Sequence, residues 1–380
     1  METDEVIYRR LQEHINRMPV GFPKSETGAD IRILKQLFTE EEAQITLELS
    51  MLPETIDRIY PRIKDMGYTK KQAEDMLNTM CKKGLVLGGK LLPKKGGKTQ
   101  YSKAQFAIGL FELQLNQLKN EVAADMSEYS NTLKDEFFMK GRPVQMRTIP
   151  IGRSIKVENI TATYDDIREI ISNAKDPIVI NNCVCRENKD KEGKSCKNSN
   201  ERETCIALGT MAKNSIEMGN GRVVSKEEVL TMLDRFEEIG FVLQPENNQN
   251  PQFVCCCCGC CCGVLTMAKH FHRPTEFYSS NYYAVVDTDK CDGAGTCMHR
   301  CQMGAITVKD KKAVVNLDRC IGCGLCTTTC KAGALALKKQ DKMKVPPKNH
   351  AELYQQILMK KLGPIKTIGV AAKYKLGFKV

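Results

Sequence analysis

Residues 320–330 read CIGCGLCTTTC, with cysteines at 320, 323, 326 and 330. The spacing is C-x2-C-x2-C-x3-C. Three thiolates so spaced wrap one tight loop around a cubane cluster, each reaching a different iron, while the fourth points away to a second cluster. A zinc site made of two C-x2-C pairs is the competing reading. The density of thiols on one short loop favours iron–sulfur chemistry.

A partner motif lies about thirty residues upstream, CDGAGTCMHRC, with Cys291, Cys297 and Cys301. Between the two motifs, ITVK and AVVN flank Asp310-Lys311-Lys312 as a hairpin pattern. ALALKK follows the second motif. This repeat resembles a bacterial-type dicluster ferredoxin domain over about residues 281–340. The resemblance implies a βαββαβ fold and crossed ligation. Cys320, Cys323, Cys326 and Cys301 would hold one [4Fe-4S] cluster, and Cys291, Cys297 and Cys330 the other.

The chain departs from that family twice. The proline that usually follows each fourth cysteine is Gln302 in one motif and Lys331 in the other, which concerns loop stiffness rather than ligation. Ala294 stands where the second cysteine of the first motif belongs, and alanine cannot bind iron. A three-thiolate site resembles those of ferredoxins that hold [3Fe-4S]. [3Fe-4S] is the favoured reading, and a site-differentiated [4Fe-4S] with an outside ligand on its fourth iron is the alternative.

Residues 254–263, VCCCCGCCCG, add seven thiols: Cys255, Cys256, Cys257, Cys258, Cys260, Cys261 and Cys262. Upstream stand Cys183, Cys185, Cys196 and Cys205. Adjacent cysteines bridge one another only with strain, and a chain of this length without an export pattern is a poor disulfide scaffold. Metal ligation is the better reading. Eleven thiols suffice for one or two further iron–sulfur clusters, with zinc as the rival. The expected ligands are Cys183, Cys185, Cys196, Cys205, Cys255, Cys257, Cys258, Cys260, Cys261 and Cys262. His270 and His272 lie near enough in sequence to substitute. Cys81, on the apolar side of a helical pattern, reads as an inert core thiol.

The rest of the chain supplies scaffold. Residues 30–51 suggest two amphipathic helices, the second opening on Thr39 with Glu42 as a capping box. A helical stretch from Glu54 to about Met66 is interrupted near Pro61, and another starts at Thr69 and stops at Gly84. LVLGG and TQYSK then flank a Gly/Lys turn, so residues 1–105 read as a winged-helix-like domain. GGKT at 96–99 lacks the first glycine of a phosphate loop, because Leu92 occupies its place, and reads as a wing turn. Gly109 to about Lys140 carries apolar residues at helical spacing, suited to packing on a neighbouring domain or a second subunit. QMRTIPI and PIVINN read as strands, and Ser225 caps a helix ended by Gly240. The division is thus 1–105, a long helix and cysteine-rich α/β region over 106–275, the ferredoxin-like domain over 281–340 and a basic tail over 341–380, an α+β multidomain chain.

Formal net charge is +11, and twelve lysines stand against one Asp and one Glu from Lys331 onward. A smaller basic group is Lys90, Lys94, Lys95, Lys98 and Lys103. Such patches attract acidic proteins, nucleic acid or anionic lipid. METDEVIYRR places acids where a signal peptide needs basic then apolar residues, and no apolar run reaches the ~18 residues of a membrane span, so a cytoplasmic protein is expected.

PVGFP, IRILKQLFTEEEA, CVCR, CCCCGCCCG, RCQMGAI and CIGCGLC together resemble long iron–sulfur proteins of anaerobic microbes. That resemblance implies electron transfer between redox partner proteins, with acidic partners suited to the lysine-rich end. No GxGxxG site and no nucleophile–base set is visible, so the chain reads as an electron carrier or a non-catalytic oxidoreductase subunit. Two alternatives compete. One is an iron–sulfur redox-sensing DNA-binding regulator using the 70–83 helix, which carries no arginine. The other is a cluster-based oxidoreductase subunit using the open corner at Ala294.

Overall fold

The computed structural model of the chain describes residues 4–89, 92, 94–139, 141–154 and 162–380. Three helices open it: α1 (Asp4–Asn16), α2 (Ala29–Leu37) and α3 (Glu40–Leu47). The Thr39 hydroxyl accepts from the Glu42 N–H while the Glu42 carboxylate accepts from the Thr39 N–H, the reciprocal pair its sequence announces. Strand β1 (Glu54–Thr55), helices α4 (Ile56–Ile63) and α5 (Lys70–Lys82), and strands β2 (Val86–Leu87) and β3 (Gln100–Lys103) follow. The strands form an antiparallel sheet in the order β1-β3-β2. Pro61 sits inside α4 without interrupting it; that helix ends two residues later in a 3₁₀ turn. Ile56, Ile59 and Ile63 of α4 and Ala73, Leu77 and Met80 of α5 bury their faces against the same core.

Between β2 and β3 the chain reverses at Gly96 and Gly97. Both have positive φ, 57° and 77°, and Lys95 and Lys98 exchange two backbone hydrogen bonds across them. GGKT is therefore the tip of a two-residue turn of the kind that needs left-handed residues. Lys90 of the basic group lies outside the described residues. Lys94 and Lys95 are exposed, Lys98 pairs with Asp57, and Lys103 is wholly buried, so it is no part of that basic surface.

The apolar run from Gly109 does not make one long helix. Residues 106–118 form irregular turns, with Asn116 at φ 64°, and α6 spans only Asn120–Phe137. Phe106, Leu110, Leu115 and Leu118 are nevertheless buried. Their spacing reports core contact, which turns provide here as well as a helix would. α6 packs on α2.

The centre is a five-stranded, wholly antiparallel sheet in the order β6-β4-β5-β8-β7. Helices α7 (Ile167–Asn173), α8 (Val184–Lys191), α9 (Gly209–Met218) and α10 (Lys226–Ile239) join strands β4 (Ile178–Asn182), β5 (Glu203–Ala207), β6 (Gly221–Val224), β7 (Val242–Pro245) and β8 (Phe253–Cys257). α10 starts on the Ser225 cap and ends at left-handed Gly240. QMRTIPI runs beside β7 through single bridges, Met146 to Glu246 and Ile149 to Leu243, rather than as a full strand. α11 (Gly263–Lys269) leads out of the cysteine tract.

β9 (Tyr282–Val286) pairs with β12 (Leu335–Lys339), and β10 (Ile306–Lys309) with β11 (Lys312–Val315), while α12 (Thr296–Arg300) carries Cys297. This ferredoxin-like unit has its own small core of Ala284, Ile306, Ala313 and Leu335 with Cys297 and Cys326. One larger core links the remainder, from Ile7 to Ile357. The basic C-terminal stretch folds back onto it as α13 (His350–Leu362) and α14 (Pro364–Lys375). Leu353 and Ile357 are fully buried, and Lys361 donates to the carbonyls of Asn16 and Met18.

Candidate metal centres

In the C-terminal unit, backbone N–H groups in or directly before the β-strands are aimed at sulfur in a repeated pattern. Ala284 donates to Cys320 Sγ and Ala313 to Cys291 Sγ, each at 3.3 Å. Ala305 donates to Cys301 Sγ at 3.2 Å and Ala334 to Cys330 Sγ at 3.3 Å. The first cysteine of each motif thus accepts from a strand of the other half, and the fourth from the N–H four residues further along its own chain. All four donors belong to alanines. Donors of this kind stabilise thiolate over thiol and raise cluster potentials. Burial works the other way at Cys323, pushing its thiol up to about 12.

A small cavity of about 70 Å³ is lined by Cys291, Cys297 and Cys330 together with Ala294. Cys297 is buried and Ala294 exposed, so the corner without a thiol is the corner that meets solvent. The Cys301 loop faces inward. Gln302, in the place of the usual proline, accepts from the Gly259 N–H at 2.8 Å and donates to the Gly240 carbonyl at 3.0 Å. Gly259 is the glycine that divides the cysteine tract. A Cβ there would lie 2.4 Å from the Gln302 carbonyl, so the close approach of the two chains requires glycine.

The central thiols separate into two groups. Cys196, Cys258, Cys260 and Cys261 gather with all four sulfurs within 4.8 Å of one another. Cys183, Cys185, Cys205, Cys255, Cys257 and Cys262 form the second. β8 explains the division: its period of two puts Cys255 and Cys257 on one face and Cys256 on the other. Cys255 stands opposite Cys205 on β5, Cys257 neighbours Cys262, and Cys183 neighbours Cys185 at the start of α8. The Cys185 thiol draws Cys183 down to about 6 despite burial. Cys255 is pushed up chiefly by Cys205, and Cys262 by Cys257. Thiols held this close resist ionising together.

Arg186, the last residue of CVCR, is 1% exposed. It donates to Cys258 Sγ at 3.3 Å and lies 4.4 Å from the Phe241 ring centroid. It is the buried positive charge among these sulfurs, and the Cys261 thiol together with this cation draws Cys258 down to about 4. On the other group, Gln244 donates to Cys262 Sγ at 3.6 Å and is itself held by the Tyr278 hydroxyl. Neither Arg186 nor Gln302 nor Gln244 stands out by residue type. Arg186 had a signal in its place directly after CVC, and Gln302 in its replacement of a proline.

The six-thiol group opens on a cavity of about 1430 Å³, whose other walls include Ile108, Phe111, Met126 and Leu358. Half-buried Glu112 also lines it, with its carboxyl pushed up to about 7 by desolvation. His270 and His272 are exposed and do not join the close-set sulfurs. Cys256 is buried on the far face of β8. Cys81, partly buried beside Gly88, is pushed up to about 12 by burial.

The family described as the 4Fe-4S dicluster domain matches residues 283–331. No curated protein and no solved structure matches the chain. The C-terminal unit is therefore a 4Fe-4S dicluster domain, and [4Fe-4S] binding follows from it. The two pairs of N–H···S bonds, one pair crossing between the halves and one local, fit that cofactor. No helix among the described residues is long and apolar enough to cross a membrane.

Proposed function

We propose that this chain is a multi-cluster electron carrier that passes electrons between redox partner proteins. The observation that carries this reading is the set of N–H···S bonds made to the first and fourth cysteines of both motifs, around one small core. When bound, iron–sulfur clusters supply reversible one-electron chemistry. Cys320, Cys323, Cys326 and Cys301 would hold a [4Fe-4S] cluster. Cys291, Cys297 and Cys330 would hold a three-thiolate cluster, [3Fe-4S] being favoured because Ala294 offers no ligand and its corner faces water. The six thiols Cys183, Cys185, Cys205, Cys255, Cys257 and Cys262 would hold one further cluster, the inner end of the path.

The chain's residues support a route inward. Cys301 is followed by Gln302, which hydrogen-bonds into the cysteine tract at Gly259. The solvent-facing corner at Ala294 and the lysine-bearing α13 and α14 suit docking of an acidic protein. Residues 54–103, with a short strand, two helices and then two strands that together form a three-stranded sheet, fit a winged-helix-like module. On α5, Lys71 pairs with Asp75, and Lys70 pairs with Asp57, as does Lys98 of the turn, which leaves a surface better suited to protein than to DNA phosphates.

One observation favours a second reading, an oxidoreductase subunit: the six-thiol group meets a large apolar-walled cavity. Stepwise electrode reduction of the full chain separates the two. A carrier takes up and releases electrons reversibly at every cluster with no added substrate. Cycling that requires a small organic substrate would replace the carrier reading with the second.

A further inference from the structure

The four thiols Cys196, Cys258, Cys260 and Cys261 differ from every other thiol set in this chain. Their Sγ separations are 3.3 Å for 258–260, 3.6 Å for 196–258, and 3.7 Å for both 196–260 and 260–261. Four sulfurs each ~2.3 Å from one tetrahedral ion stand about 3.8 Å apart, the edge of that tetrahedron. Sulfurs that serve a cubane each take a different iron, so they stand around a cube instead of a point and are more widely spaced. The chain contains its own comparison. Among the described residues, no three of the ferredoxin-type cysteines gather within the 4.8 Å that encloses these four.

We infer that Cys196, Cys258, Cys260 and Cys261 hold a single zinc ion, separate from any iron–sulfur cluster. One tight turn supplies three of the ligands, Cys258-Gly259-Cys260-Cys261, closed by the Cys262 N–H donating to the Cys258 carbonyl at 3.1 Å. Cys196 comes from the loop after α8. Four thiolates on a divalent ion leave two negative charges, and Arg186 is placed against Cys258 to offset one of them. The remaining partners tie the site to its surroundings. Lys269 donates to the Gly259 carbonyl at 2.7 Å, and Gln302 accepts from the Gly259 N–H. A redox-inert ion here fixes the turn on which the Cys301 loop rests, and fixes the tract at the end nearest the six-thiol group. Its role is structural: it holds other thiols at a set separation. The inference does not depend on the electron-carrier reading.

The test uses the full chain purified without oxygen. Its metals are counted, and X-ray absorption is recorded at the zinc edge. The expected result is about one zinc per chain with a first shell of four sulfurs at ~2.3 Å and no neighbouring metal. In the double variant Cys196→Ser with Cys260→Ser, zinc is lost while the iron signals of the C-terminal domain persist. Absence of zinc from the unmodified chain, or a zinc shell with fewer than four sulfurs, overturns the inference. So does a double variant that loses iron and sulfide in the amount of a whole cluster. The spectrum of the unmodified chain decides the matter even where the variant fails to fold.

Discussion

Ala294 is a single methyl group on which the character of the proposed three-thiolate cluster turns. It lines the cavity shared by Cys291, Cys297 and Cys330, and it is exposed. Replacing it by cysteine restores a fourth ligand at the solvent-facing corner. Ala294→Cys is expected to abolish the oxidised-state [3Fe-4S] EPR signal and to raise the iron content by about one per chain. An unchanged oxidised spectrum would show that the corner is not part of a cluster site. Ala294 was readable in the sequence because a fixed spacing exposes any departure from it. Arg186 was not, although CVCR contains it. Its meaning lies in contacts with Cys258 and Phe241, which are 72 and 55 positions away and which no local pattern encodes. Gln302 is similar: the missing proline is visible, but its bond to Gly259 depends on how two domains meet.

At the scale of elements, ends were easier to read than middles. Thr39, Thr69 and Ser225 cap α3, α5 and α10 through their own neighbours, so four residues of sequence suffice. The apolar run from Gly109 misleads because turns bury residues at helical spacing just as helices do. Lys103 of β3 and the lysines of the C-terminal stretch mislead for a related reason, since charge alone suggests solvent. Lys103 is fully buried on β3. The His14 Nε2 faces the Leu49 carbonyl at 2.8 Å, so it carries the proton, which leaves Nδ1 to accept from Lys103 Nζ at 3.4 Å. Burial, with Arg17 and Lys379 adding repulsion, brings Lys103 down from 10.5 to about 7. Between those values the unfolded chain holds a proton that the fold releases, so this residue makes stability rise with pH over that window. Its cost is complete below pH about 7 and gone above the unfolded value. Lys103→Met is therefore expected to raise the thermal midpoint at pH 6, and by clearly less at pH 10. Equal gains at both pH values would show that the ammonium carries no such cost.

Over the whole molecule, the two cysteine-rich regions share one interface. The C-terminal unit rests on the central region through Gln302 at Gly259 and Gly240, and through Arg319 at the carbonyls of Phe271 and Lys269. The Cys323 carbonyl accepts from the Ile151 N–H at 3.0 Å, extending that contact. The C-terminal helices complete the assembly by packing on the N-terminal core. The sequence made the dicluster unit plain, because its ligands sit within forty residues of one another. It could not sort the seven thiols of VCCCCGCCCG. That sorting needs the strand period of β8, the turn at Gly259 and the arrival of Cys196 and Cys205 from other elements. With these in place the tract's sulfurs divide between a close-set tetrad with Cys196 and a second group with Cys183, Cys185 and Cys205.

The account rests on an uneven pair of clusters in the C-terminal unit linked to one inner cluster. Iron and sulfide analysis with EPR, on the full chain purified without oxygen and reduced stepwise, tests it directly. One [3Fe-4S] and two [4Fe-4S] clusters predict about eleven irons per chain, a [3Fe-4S] signal when oxidised, and interacting [4Fe-4S] signals on reduction. About eight irons with no oxidised signal, or iron confined to a single cluster, would contradict it.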